Sequence, residues 1–526
     1  MPENPLSRAD RLAILISLLG VLAAYVVTVR VYEGMAHIED EMAYVWQAQA
    51  IAEGHLKIAS PPQAKSFLVP FVIDYQGERF GKYPLGWPVV LAVGVFLGAR
   101  SLVNPLLAGL GVWLTYRLGK KTLGETVGLL AAGLTVISPF FLMNSGSLLS
   151  HPLGLVLSLA FVLGWLDGWQ PEVNLFGEVN SSRRWIPILA SAFSLGILAL
   201  TRPLTAVGVS LPFAFHGLYL MIRGGDPQDR WIIRRRLIIF GLLVILLSLL
   251  TFLWQYALTG DPLLNPYTLW WKYDTVGFGP GIGRLQGGHT PHQGWINTRH
   301  SLWAGRYDLF GWGRYSWIFM PIGLLAALRE RKSLLPIAVL PSLVLVYMAY
   351  WIGSTLFGPR YYYEGLFSAI LLSAAGIALL AGWPTRPGQE WRSYSGWRKA
   401  QPLLMTAILA VLVTVTLGFF APRRVGNMHG LYEVTRARLE PFQTPEAQEL
   451  TPALVIVHPD TWSEYGALLE LEDPDLDTPF IFAYTRGSTG DAALAKEFPQ
   501  RTVIHYYTNK PNSFYVSRPP LVKKGN

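Results

Sequence analysis

Apolar segments recur along this chain, many of them roughly 17–22 residues long and nearly free of charge. At about 1.5 Å of helical rise per residue, that length matches a bilayer hydrocarbon core of about 30 Å. In such a core every backbone N–H and C=O must be paired within the protein, which leaves helices or closed barrels. The runs are continuous rather than alternating, so they specify helices. The expected fold class is therefore an all-α polytopic membrane protein. Composition agrees: 51% of the 526 residues are hydrophobic and 15% are charged. The net charge of +9 is spread over short loops between apolar runs, so nucleic acid is not an expected partner. There is no cysteine, hence no disulfide, thiolate metal site or thiol nucleophile. The first run, Leu12–Val29, ends in Arg30 rather than a small-residue cleavage site and reads as a retained signal anchor.

One segment, Leu85–Leu97, decides the topology. It follows Pro84 and contains Pro88. If it crosses, Lys120 and Lys121 fall outside and every later loop changes side. If it lies along the outer interface, about eleven spans remain and the basic loops coincide on the inner side. These carry Arg8 and Arg11, Lys120 and Lys121, Arg183 and Arg184, the cluster Arg223, Arg230, Arg234, Arg235 and Arg236, then Arg329, Arg331 and Lys332, and finally Arg392, Arg398 and Lys399. The positive-inside rule selects the second arrangement. Residues 1–420 then form a transmembrane domain with outer loops at 31–84 and 259–315. Residues 421–526 form a small extracytoplasmic α/β domain, with β-like runs at Ala453–Val457, Phe480–Tyr484 and Thr502–Tyr507 and a helix at Asp491–Phe498.

The polar residues of interest sit at outer span ends. Glu39-Asp40-Glu41 follows the first span, before an amphipathic stretch at Tyr44–Ala52. Asp40 and Glu41 are candidate catalytic acids. Repulsion within the cluster would raise one pKa and suit proton abstraction, and a solvated helix end is the alternative. Lys82, before Tyr83-Pro84, is either a headgroup anchor or a contact for a lipid phosphate. Arg360, in Gly358-Pro359-Arg360-Tyr361-Tyr362-Tyr363-Glu364, opposes the positive-inside trend and calls for an anion, either Glu364 at i+4 or a phosphate. Neither Lys82 nor Arg360 has an obvious protein counter-charge strong enough to hold it. Arg202 is a further candidate anion contact. His151, after Ser150, reads as a surface residue at a helix start or as a catalytic histidine. The 259–315 loop carries Tyr273-Asp274, glycines at 277, 279, 281, 283, 287 and 288, and His289 and His292. The glycines suggest a mobile lid or acceptor-binding loop, and the two histidines at most half a metal site. Tyr361 belongs either to the site or to an aromatic interface belt.

The order Asp40-Glu41-x-x-Tyr44, then Lys82-Tyr83-Pro84 about forty residues on, resembles the GT-C glycosyltransferases. The likeness is to the prokaryotic branch that includes the lipid A aminoarabinose transferase and the protein O-mannosyltransferase-like enzymes. It is clearest over Arg11–Ala206 and returns at Gly358–Glu364. It implies eleven or more spans, outer interfacial helices, an extracytoplasmic C-terminal domain, and a polyprenyl-phosphate-sugar donor among membrane lipids. The acceptor would be a glycan, a lipid or a protein. By the same resemblance Asp40 is the catalytic acid, with Glu41 beside it, and Lys82 is the donor-phosphate lysine. Arg360 and Arg202 are candidates to join it. Tyr44, His151, His289, His292 and Tyr361 are candidates for the acceptor side. The chain reads Lys-Tyr-Pro where the family has Lys-Pro-Pro, and Ser150-His151 where many relatives have an acid. A divalent metal therefore stays an open option, with no metal ligand assigned. The eukaryotic β-trefoil insert is missing, which favours a prokaryotic plasma membrane with the active site outside. The rival class is a lipid-linked glycan flippase or secondary transporter. That class places ionisable residues in mid-span, whereas here they sit at span ends.

Overall fold

The computed structural model describes residues 6–169, 185–223, 227–391 and 399–519. Arg183, Arg184, Arg392 and Arg398 lie outside the described residues, as does the side chain of Arg223.

Ser7 opens the first helix, α1 (Arg8–Arg30). Its hydroxyl accepts from Asp10 N, and the Asp10 carboxylate accepts from Ser7 N. This capping box satisfies amides left free at a helix start. The helices α2 (Glu39–Ala52), α3 (Gly86–Phe96) and α4 (Arg100–Leu123) follow. Next come α5 (Glu125–Ile137), α6 (Pro139–Gly146), α7 (His151–Gly168), α8 (Trp185–Thr201), α9 (Pro203–Arg223) and α10 (Pro227–Thr259). Beyond a long loop that carries α11 (Pro266–Trp270) and α12 (Pro291–Asp308) are α13 (Phe319–Ala327), α14 (Arg331–Tyr347), α15 (Leu366–Ala381) and α16 (Ala400–Val415).

Among the described residues six helices are long and apolar enough to cross a membrane, and α5 with α6 makes a seventh as a pair bent by 61°. The run expected as one span over Thr122–Phe141 is thus broken. Pro139 cannot donate to the helix before it, and Ser138 instead caps α6 by accepting from Phe141 N. The 11-residue α3 extends only about 16 Å, too short to cross alone. The segment expected over Ser316–Leu328 yields the nine-residue α13, also shorter than a bilayer.

The loop between α2 and α3 holds a sheet that hydropathy did not announce. Strands β1 (Ile58–Ala59), β2 (Val72–Tyr75) and β3 (Glu78–Gly81) pair antiparallel in the order β1-β3-β2. Gln76 and Gly77, both at positive φ, make the tight turn between β2 and β3. Strand β3 ends at Gly81 and so fixes the position of Lys82.

The C-terminal region adds the short helices α17 (Ala421–Gly426), α18 (Pro445–Gln448), α19 (Trp462–Leu468) and α20 (Gly487–Glu497). Its sheet has β4 (Ala453–His458), β5 (Phe480–Tyr484), β6 (Thr502–Tyr507) and β7 (Phe514–Arg518) in the order β5-β4-β6-β7. The first three run parallel, and β7 is antiparallel to β6. Alternation divides the two faces. Val455, Val457, Phe482 and Ile504 join the core that runs through the membrane helices. Leu454, Ile456, Ile481 and Val503 pack under Leu494 of α20 and against Phe67. The sheet unit docks where α2 begins: Glu470 pairs with Arg100 and accepts from Ala36 N at 3.1 Å.

Candidate active site

The three acids form the first turn of α2, where the helix dipole favours negative charge. Successive residues are about 100° apart around the axis, so the carboxylates diverge. Glu41 is fully buried and accepts from His37 N (2.9 Å), Ile38 N (3.3 Å) and Leu148 N (2.7 Å). It fastens the start of α2 to the junction between α6 and α7. Burial pushes its carboxyl up to about 7, against the pull of those N–H groups. Its acceptor capacity is thus taken up by backbone.

Asp40 points the other way and stays partly exposed. Arg360 Nη2 lies 3.0 Å from Asp40 Oδ2, and Tyr83 OH donates to Oδ1. Burial acts to raise the Asp40 carboxyl, but the Arg360 guanidinium, the Tyr83 hydroxyl and Lys82 outweigh it. They hold it below the usual carboxylate range. The expectation of a raised acid is met at Glu41 and, in direction, at Glu39, with desolvation rather than repulsion as the first cause at both.

Arg360 does not pair with Glu364, the protein partner expected for it. Arg360–Gly365 is a 3-10 turn, and at three residues per turn positions i and i+4 do not share a face. Arg360 reaches Asp40 instead. Among the described residues nothing accepts from Arg360 Nη1, which is buried.

Lys82 also has a counter-charge, contrary to expectation. Its Nζ is 3.2 Å from Asp274 Oδ2, and both side chains are almost wholly buried. Asp274 Oδ1 further accepts from Tyr350 OH and Trp351 Nε1. The ammonium sits 3.6 Å from the centre of the Phe71 ring, with Tyr267 at 4.8 Å and Trp271 at 5.1 Å. Such a box stabilises a desolvated cation. Burial lowers the Lys82 pKa, opposed by Asp274 and Asp40.

Glu364 takes Arg202 as its partner, with Nε at 2.9 Å, and His151 Nδ1 at 3.1 Å. His151 is buried, not a surface residue at a helix start. Gly154 makes room on α7, because a Cβ there would lie 2.7 Å from Glu364 Oε1. Arg202 also donates to Ser150 Oγ and Tyr347 OH, and Ser150 Oγ lies 3.2 Å from Tyr44 OH. Tyr44 packs on Tyr83 with ring centres 4.4 Å apart, and Tyr361 stacks on Tyr347 at 5.1 Å. Asp40, Tyr44, Lys82, His151, Arg202, Arg360 and Tyr361 thus form one continuous network over the span ends. Removing one member of a buried ion pair leaves the other uncompensated, at about 3–5 kcal/mol. Glu364→Gln is expected to lose stability of that order in thermal melts of detergent-solubilised protein.

His289 and His292 lie apart from this network and do not converge. His289 is buried, with Nε2 2.9 Å from Met348 O and its ring stacked on Phe278. His292 is exposed on the first turn of α12. Several of the glycines between Tyr273 and these histidines donate backbone hydrogen bonds. Gly277 N donates to Ala349 O and Gly283 N to Tyr273 O. Gly288, at φ +76°, passes so near Gly279 that a Cβ would sit 1.9 Å from its carbonyl oxygen.

The Asp40 and Glu364 carboxylates are each matched by a guanidinium. Among the described residues the one group of three histidine or acid side chains placed to share an ion lies in the C-terminal region, on β4, β6 and α20.

Sequence reasoning missed Tyr83 as the Asp40 donor, Asp274 as the Lys82 partner, and Tyr347. Tyr83 adjoins Lys82, and Asp274 ends the aromatic run Trp270-Trp271-Lys272-Tyr273. Aromatic rings gathered beside an acid offer a buried cation both a counter-charge and ring faces.

No protein-family model matches the chain, and no curated protein matches it in sequence. Solved structures do. ArnT from Cupriavidus metallidurans bound to undecaprenyl phosphate aligns over 94% of this chain and 90% of its own, with a TM-score of 0.55 and 13% identity. The same protein in the apo state aligns over 95% and 93%, with a TM-score of 0.55 and 12% identity. The archaeal oligosaccharyltransferase AglB from Archaeoglobus fulgidus, in complex with an inhibitory peptide and a dolichol-phosphate, aligns over 94% of this chain and 69% of its own. Its TM-score is 0.51 at 11% identity. At these identities the likeness is one of architecture, and the chain has the GT-C fold that ArnT and AglB share.

Proposed function

We propose that this protein is a glycosyltransferase that moves a sugar from a polyprenyl-phosphate donor to an acceptor hydroxyl at the outer face of a prokaryotic cytoplasmic membrane. One observation carries the reading. In a GT-C fold, Asp40 is held ionised at the surface end of a network of cations, one of which, Arg360, has a buried N–H free for an anion. The similar ArnT and AglB structures hold undecaprenyl phosphate and a dolichol-phosphate.

The donor phosphate takes the free Arg360 N–H and lies in the field of Arg202 and Lys82. Asp40 orients the acceptor hydroxyl. The hydroxyl oxygen attacks the anomeric carbon from the face opposite the phosphate, the bond between sugar and phosphate oxygen breaks, and the configuration inverts. The hydroxyl proton passes to Asp40, and the electron pair leaves with polyprenyl phosphate. A carboxylate of low proton affinity suits late transfer, when the attacking oxygen has become acidic. The leaving phosphate carries its charge without a general acid, and the cations stabilise it.

Profiling lipid-linked glycans by mass spectrometry in a deletion strain tests this. The strain accumulates the polyprenyl-phosphate sugar and loses that sugar from one envelope glycan, lipid or protein. An unchanged profile rejects the proposal. Orientation follows from the basic loops: reporter fusions after Lys121 and after Phe420 are expected on opposite sides, inside and outside. Finding both on one side removes the eleven-span order.

A further inference from the structure

The C-terminal sheet carries a second group of chemically active side chains, unrelated to the Asp40 network. Its parallel strands β5, β4 and β6 lie side by side in that order, joined by α19 and α20. The chain leaves β4 toward one edge and returns past it to form β6. The junction of β4 and β6 is therefore a topological switch point, where open parallel sheets hold ligands beyond the carboxyl ends of their strands.

Two histidines stand at that junction. His458 is the last residue of β4, and His505 lies in β6 opposite Ile456. Residues 456, 458, 505 and 507 share one face by alternation, and α20 covers that face through Leu494. One turn earlier on α20, Asp491 is buried and directed at the same place. His458 Nε2 and His505 Nδ1 are 2.8 Å apart, and the Tyr507 ring stacks on His458 at 4.4 Å. Asp491 accepts one hydrogen bond on each oxygen, from Thr485 Oγ1 and Arg486 N, which fix its orientation and leave a lone pair on each.

We infer that His458, Asp491 and His505 form a binding site for a divalent first-row metal ion of the zinc type. The three ligand atoms all lie within 4.8 Å of one another. A tetrahedral ion with bonds of about 2.0–2.2 Å needs ligand atoms roughly 3.3–3.5 Å apart, so small side-chain rotations suffice. Two imidazoles and one carboxylate select such an ion over magnesium or calcium, which prefer all-oxygen shells. His505 also lines an open groove with Tyr507 and Tyr515, which gives solvent and a fourth ligand a way in. Bound there, the ion ties α20 to β4 and β6 as a structural clamp. The site does not depend on the proposed sugar transfer.

The test uses full-length protein in detergent, purified without a polyhistidine tag and stripped with a chelator. Calorimetric titration with zinc chloride should give one equivalent bound. A supporting group around a metal ligand is already worth about 10–100-fold in affinity. The double variant His458→Gln/His505→Gln is therefore expected to bind zinc at least about a hundredfold more weakly, and Asp491→Asn at least about tenfold. Zinc should also raise the melting temperature of the stripped wild-type protein and leave that of the double variant unchanged. This second readout needs no variant to match wild-type stability. Absence of both binding and a melting shift in the wild type overturns the site, and so does equal binding by the double variant.

Discussion

Asp40→Asn is expected to lower turnover by roughly two to four orders of magnitude, the usual contribution of a positioned general base. The amide keeps the shape of the side chain and can still accept from Tyr83. It cannot take up the acceptor proton, and it no longer carries the charge that Arg360 faces. Donor affinity should change far less, because the phosphate contacts are cations. The companion variant Glu41→Gln separates the two acids. Glu41 accepts three backbone N–H groups, so an amide nitrogen there would face a donor, at about 1–3 kcal/mol of stability. Turnover per folded molecule should remain near the wild-type value. Near-normal transfer by Asp40→Asn with an inactive, folded Glu41→Gln would move the chemistry to Glu41.

Arg360→Met should weaken binding of polyprenyl phosphate by roughly ten- to a hundredfold, since a hydrogen bond to a charged group contributes about 1.5–3 kcal/mol. It should also move the pH profile. Arg360 holds the Asp40 carboxyl below the usual carboxylate range. In the wild type, activity that needs ionised Asp40 is present above that lowered pKa and lost only as pH falls through it. Without the guanidinium the Asp40 pKa rises, and the acid limb moves to higher pH. Arg360→Lys should rescue only in part, because an ammonium cannot serve Asp40 and a phosphate through one planar fork. A merely structural Arg360 would change stability without shifting that limb. Lys82→Met should have a smaller effect on donor binding than Arg360→Met, because the Lys82 ammonium is taken up by Asp274 and its aromatic box, whereas Arg360 keeps a buried N–H without a partner among the described residues.

Much of the architecture was legible because hydropathy reports burial in a bilayer. The apolar segments coincide with helices or helix pairs, and the C-terminal β-like runs coincide with β4, β5 and β6. Strand β7 and helix α19 were not read. β7 is an edge strand with mixed exposure, and α19 is only seven residues long. The sheet between α2 and α3 stayed hidden because β1 has two residues and β2 and β3 four each, too few for periodicity to register. The candidate residues were legible as types but not as pairs. Asp40 and Arg360 are 320 positions apart, and Lys82 and Asp274 are separated by 192. Local spacing suggested Glu364 for Arg360, but the 3-10 turn sends the two side chains apart. Glu41 and Asp40 are adjacent in sequence, yet one is fixed to backbone and the other faces cations. Only the direction of α2 against the α6–α7 junction separates them.

The most direct measurement follows a labelled sugar. Purified protein is supplied with a polyprenyl-phosphate sugar and with membranes from the deletion strain as the source of acceptor. Wild-type protein should move the label from the lipid phosphate to an acceptor and release polyprenyl phosphate in equal amount, and Asp40→Asn should do neither at a comparable rate. A label that stays on its lipid with every donor tested, or that only changes membrane leaflet without a broken sugar–phosphate bond, would contradict the account.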